Sequence, residues 1–104
     1  MKTDSVKDFL LDQLGGLRGL ECRAMFGGFG LYADGKFFGI LHRGRLYFKT
    51  SDATRDAYVQ RGMQPFQPNA NQKLSSYYEV PADILESADE LSEWAREALQ
   101  TVKP

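Results

Sequence analysis

Between Glu21 and Lys49 the apolar residues alternate with a period of two, and the alternation breaks at Asp34-Gly35 and Arg43-Gly44. Alternation over four to eight residues marks strands with one buried face, and Asp-Gly is a strong signal for a two-residue hairpin turn. The segments Arg23–Phe26, Phe29–Ala33, Phe37–Leu41 and Leu46–Lys49 therefore read as four short strands. Connections this short require antiparallel neighbours. In the last of them Leu46 and Phe48 point one way and Arg45, Tyr47 and Lys49 the other, so the meander has one buried and one more polar face.

Helical spacing flanks this meander. Val6, Phe9, Leu10, Leu14 and Leu17 predict a helix from about Ser5 to Leu14, capped by Thr3, Asp4 or Ser5 and ended by Gly15-Gly16. Ser51 or Asp52 caps a second helix, about Ala53 to Arg61, that Gly62 ends. Two prolines and two asparagines make residues 63–72 read as a loop. Leu74, Ser76, Tyr78 and Val80 alternate with Ser75, Tyr77 and Glu79 as a fifth strand, and Pro81 starts a short helical turn. Ser87 with Glu90 is a capping-box pattern before the stripe Leu91, Trp94, Ala95, Ala98, Leu99 and Val102. Trp94 is expected in the core. The expectation is a single two-layer α+β domain over residues 1–104, an antiparallel sheet of about five strands with N-terminal, middle and C-terminal helices.

Composition narrows the function. The 104 residues are 42% hydrophobic and 26% charged, with no apolar run long enough to cross a membrane and no leader-like start. A cytoplasmic protein is expected. Cys22 and His42 stand alone, which rules out an internal disulfide and a cysteine-rich zinc site. The net charge is −1, but residues 1–50 hold eight Lys/Arg against five Asp/Glu, and residues 51–104 five against nine. Glu86, Asp89, Glu90, Glu93 and Glu97 read as a solvated helical surface.

Three constellations invite chemistry. Gly28, Gly30 and Ala33 satisfy the spacing of a dinucleotide fingerprint, but that fingerprint needs a helix next, and a hairpin turn follows instead. Gly27-Gly28 therefore reads as a tight turn. Cys22 and His42 form the sole conceivable nucleophile–base pair, with nothing local to orient them. Arg45, Tyr47 and Lys49, with Arg23 and Lys36 nearby, resemble a basic–aromatic sheet face able to stack bases, although cross-strand pairs on ordinary sheets look the same. No catalytic residue, cofactor or metal is expected.

Together, Arg23-Ala-Met25-Phe26-Gly27-Gly28-Phe-Gly30-Leu-Tyr32, Lys36-Phe-Phe-Gly-Ile40, Leu46-Tyr-Phe-Lys49, Gly62-Met-Gln-Pro-Phe66, Ser76-Tyr77-Tyr78-Glu-Val-Pro81 and the helix with Trp94 and Ala98 resemble the TfoX N-terminal domain family over about residues 5–101. The resemblance implies a two-layer fold akin to secretion chaperones. Full-length members (TfoX, or Sxy) promote transcription of natural-competence genes in bacteria together with the cyclic-AMP receptor protein. Those regulators carry a second, C-terminal helical domain after this one. The resemblance supplies no catalytic residues.

The expected function is a non-enzymatic regulatory module acting through a protein partner, with transcription machinery as one candidate. Arg23, Arg45, Tyr47 and Lys49 are its candidate surface, and Met25, Phe26, Gly27, Gly28, Gly30, Tyr77, Tyr78 and Pro81 its structural motif. Weak or no direct DNA binding is expected, and an exposed sheet edge is compatible with a homodimer. The alternatives are direct nucleic-acid binding through the basic–aromatic face, and a small-ligand binder or enzyme with a pocket near Gly27-Gly28 and Tyr77-Tyr78.

Overall fold

The computed structural model describes residues 2–25 and 27–102, with side chains described from residue 5 onward. Phe26, assigned above to the first strand, lies outside the described residues. The chain begins with helix α1 (Lys2–Gln13), which starts ahead of the three expected capping residues. Strands β1 (Leu20–Met25), β2 (Gly28–Ala33), β3 (Lys36–His42) and β4 (Arg45–Lys49) follow as a continuous meander. Asp34 and Gly35 both have positive φ, as do Arg43 and Gly44, the pair of conformations a two-residue hairpin requires.

Helix α2 (Asp52–Gln60) begins at a reciprocal capping box. The Ser51 Oγ accepts from the Thr54 amide, and the Thr54 Oγ1 accepts from the Ser51 amide. The loop expected over residues 63–72 is instead largely a strand. Residues Pro65–Asn69 form β5, which pairs with β6 (Gln72–Glu79). The sheet thus has six strands, not five, in the order β1-β2-β3-β4-β6-β5, every neighbour antiparallel. Pro65 and Pro68 are tolerated because β5 is an edge strand, where a missing N–H need break no ladder bond. Helices α3 (Ala82–Leu85) and α4 (Ala88–Thr101) close the chain, and the Ser87 Oγ caps α4 by accepting from the Glu90 amide.

All four helices pack on one face of the sheet. Leu10 and Leu14 of α1, Tyr58 of α2, Ile84 of α3 and Leu91, Ala95 and Ala98 of α4 bury one cluster with Leu31, Ala33, Phe38, Leu41, Leu46 and Phe48. Trp94 is half-buried at the border of this core, edge-on to Tyr58 at 4.8 Å and beneath the Arg61 guanidinium. A register shift between Leu31 and Tyr32 against β3 breaks the strict alternation there. It turns Phe38 toward the helices, 5.6 Å from Phe48, and Phe37 toward the opposite face.

Candidate functional site

The face away from the helices holds every side chain of the expected interaction surface. Antiparallel partners share a face, so the register Arg23↔Gly30↔Ile40↔Tyr47↔Glu79 is one row running across five strands. Arg45 lies on this side opposite His42, and Lys49 opposite Tyr77. Lys36 does not join them: it pairs with Ala33 and lines a cleft on the helix side.

The face is not the polar surface that alternation implied. Ile40 and Phe66 are fully buried, and Tyr47 and Tyr77 keep 9% of their exposure, so these four form a second apolar cluster with Phe37 and Leu74 against it. Tyr47 and His42 both pack on the Phe66 ring, at 4.8 and 5.2 Å. Sequence reasoning missed Phe66 because its segment read as a loop.

Aromatic rings run along this face between two cations. The Arg23 guanidinium lies 4.5 Å over Tyr32, whose ring is 5.2 Å from Phe37. Phe37 is in turn 5.6 Å from Tyr77, and the Lys49 ammonium sits 5.6 Å over Tyr77. Tyr32 and Phe37 are half-buried. Their pairing was legible in principle, since counting back from the Asp34-Gly35 turn sets Tyr32 opposite Phe37. The counterions were not. Arg23 bonds Glu21 at 2.9 Å, and Arg45 donates to both carboxylate oxygens of Glu79 at 3.1 Å. Lys49 takes part in none of the ion pairs among the described residues.

The glycines of the expected motif make this packing possible. Gly27 turns the β1–β2 hairpin with φ of 74°. Gly28 owes its place to crowding: a Cβ there would run into the Leu41 carbonyl oxygen. A Cβ on Gly30 would strike the Met25 sulfur and press on the Phe37 and Tyr32 rings, so Gly30 is the gap these side chains close over. Tyr77 and Tyr78 point to opposite faces, Tyr78 packing against Tyr58 under α2. Pro81 is buried, precedes α3, and its carbonyl accepts from the Ile84 and Leu85 amides.

Cys22 and His42 are separated by the sheet itself. Cys22 packs against the helix-side core, where burial pushes its thiol pKa up and the Lys7 ammonium offsets part of that. His42 packs on Phe66 on the other face, its pKa lowered by burial and the adjacent Arg43. Burial also raises the Tyr47 phenol, with Glu79 adding to it, and the Tyr77 phenol. These phenols stay protonated near neutral pH, and their rings stack on Phe37 and Phe66.

Two open clefts lie on the helix side, away from both the Gly27-Gly28 turn and Tyr77-Tyr78, where the small-ligand alternative set its pocket. One, of about 290 Å³, is lined by Leu17, Arg18, Asp34, Lys36, Arg96 and Leu99 among others. The other, of about 440 Å³, shares Gly16 and Arg96 with it and adds Asp89 and Glu93. Among the described residues no three His, Cys, Asp or Glu side chains converge as a metal site, and no helix is long and apolar enough to cross a membrane.

The sequence pattern of the TfoX N-terminal domain matches residues 12–102, nearly the whole chain. The chain belongs to the TfoX N-terminal domain family. This makes it a competence-regulator-like module in general terms. Comparison with curated proteins finds no match. In this TfoX N-terminal domain, the stretch from Arg23 to Tyr32 that carries the resemblance is the β1–β2 hairpin, and Ser76 to Pro81 is the strand beside β4 with the turn into α3.

Proposed function

We propose that this TfoX N-terminal domain is a non-enzymatic cytoplasmic regulatory module that acts through a protein partner, with the transcription machinery as its setting, and that the helix-free face is its contact surface. The observation that carries this reading is the pairing of Arg23 with Glu21 and of Arg45 with Glu79 around an aromatic centre. Protein interfaces combine buried aromatics with arginine and a rim of both signs. A nucleic-acid surface instead leaves its cations free, because its affinity comes from neutralised phosphates and released counterions. Here two of the three Arg/Lys side chains on the face already have carboxylate partners. The separation of Cys22 from His42 supports the non-enzymatic part of the reading.

Two measurements test it. Affinity capture from a bacterial cytoplasm, with and without nuclease, should recover a partner that survives nuclease and is lost with Phe37→Ser or Lys49→Glu. Fluorescence anisotropy with duplex and single-stranded oligonucleotides at near-physiological salt should show weak binding without sequence preference. Submicromolar, sequence-dependent binding abolished by Arg45→Ala and Lys49→Ala would sink the proposal in favour of direct nucleic-acid recognition.

A further inference from the structure

The two edges of the sheet are built differently. β5 carries Pro65 and Pro68, and its register against β6 shifts twice, at Pro65/Phe66 and again between Phe66 and Asn69. Prolines and bulges are standard means of stopping an edge from pairing with another chain. β1 has neither. Its six residues pair with β2 in unbroken register, and none of the described backbone hydrogen bonds reaches its outer side. Lys7, on the helix side, is held 4.9 Å over the Phe29 ring of β2.

The side chains of β1 specify what can pair there. Glu21 and Arg23, on either side of Cys22 in the strand, lie on the helix-free face with 53% and 58% of their side chains exposed. Leu20, Cys22 and Ala24 alternate with them toward the helix face. We propose that β1 is a docking edge for a second copy of this chain, the two sheets joining antiparallel about a two-fold axis at Cys22.

In that register Glu21 of each copy stands opposite Arg23 of the other, giving two reciprocal ion pairs, while Leu20 faces Ala24 and Cys22 faces Cys22. The neighbouring registers are worse. Centring the axis on Glu21 or on Arg23 sets like charges directly opposite, which destabilises a strand pair. A slip by one residue in the pairing sets charge against thiol and turns the two helix layers to opposite sides of the sheet. Self-complementarity of one patch is what a two-fold interface requires. A six-residue edge buries less than a standard interface, so the dimer is a weak one that forms only at raised protein concentration. The docking edge shares Glu21 and Arg23 with the contact face proposed above. Sedimentation of the chain alone reads only the edge, while capture with Phe37→Ser or Lys49→Glu reads only the face, so either can fail alone.

Sedimentation velocity of the full chain from about 1 μM to about 1 mM is the test. Wild type should show a concentration-dependent monomer–dimer equilibrium. Arg23→Glu alone and Glu21→Arg alone, each placing like charges opposite twice, should weaken it about tenfold or more. An equimolar mixture of the two variants should restore association, since every Glu then faces an Arg; that rescue also shows that both variants are folded. A short bismaleimide should join Cys22 to Cys22 in wild type and far less in either variant alone. A monomer at every concentration overturns the proposal, as does a dimer equally strong in both single variants.

Discussion

On the helix side of the sheet, Leu31, Phe38, Leu46 and Phe48 are sealed by four helices, whereas Ile40, Tyr47, Phe66 and Tyr77 on the other side are nearly as buried with no helix over them. The difference lies in the kind of side chain. Leu, Ile and Phe side chains have nothing to offer water and must be covered, by helices on one side and by Tyr47 and Tyr77 packed with Ile40 and Phe66 on the other. Tyrosines and cations cover themselves: rings pack on rings, hydroxyls reach solvent, and Arg and Lys stems lie across the exposed ring faces. A face built this way stays apolar at its centre and remains available to a partner.

The largest expected effect separates the two faces by stability. Phe48→Ala, which empties a fully buried site between the sheet and the helices, should cost about 3–5 kcal/mol by denaturant unfolding. Tyr77→Ala on the open face should cost about 1–3 kcal/mol, because water and neighbouring side chains can fill its place. Equal losses would mean that the two faces are one core. Gly28→Val probes the backbone contact at the β1–β2 turn and should lower stability by about 1–3 kcal/mol, since its Cβ would meet the Leu41 carbonyl. A thermal melt identical to wild type would show that the hairpin yields at no cost, and that Gly28 answers to something other than packing.

Smaller effects sharpen the contrast. Lys49→Ala, which removes a cation from an exposed ring face, should change stability by no more than about 0.5 kcal/mol while weakening partner capture. A large destabilisation would move Lys49 from recognition to structure. The smallest is the pH response of His42. Its folded pKa is lowered from 6.5 by burial and Arg43, so the unfolded chain binds the proton more readily. Its contribution is therefore fully present above pH 6.5 and is lost as pH falls through the lower folded value. Melts between pH 7.5 and 5 should show a slight fall in Tm that His42→Gln abolishes. Asp83, held below its usual 3.8 by the Arg61 hydrogen bond, answers only in more acid solution and does not obscure this window. A Tm that rises toward pH 5 would show that His42 is stabilised in its charged form.

What the chain settles locally was readable from its residues. The Asp34-Gly35 and Arg43-Gly44 turns, the Ser51 and Ser87 caps and the facing of Leu46 and Phe48 against Tyr47 each depend on residues a few positions apart. Direct hydrogen bonds and steric limits at that range follow from residue type alone. Where β5 lies depended on the whole sheet, because Pro65 and Pro68 are admissible in a strand only at an edge, and an edge exists only once the strand order is set. The closing of the helix-free face was likewise a tertiary decision. Glu79 meets Arg45 across 34 residues, Phe66 meets His42 and Tyr47, and Tyr77 completes the ring ladder only because β6 docks beside β4. Alternation says which side chains share a face. Whether that face ends up wet or buried depends on its neighbours in space, and those come from pairings between distant strands.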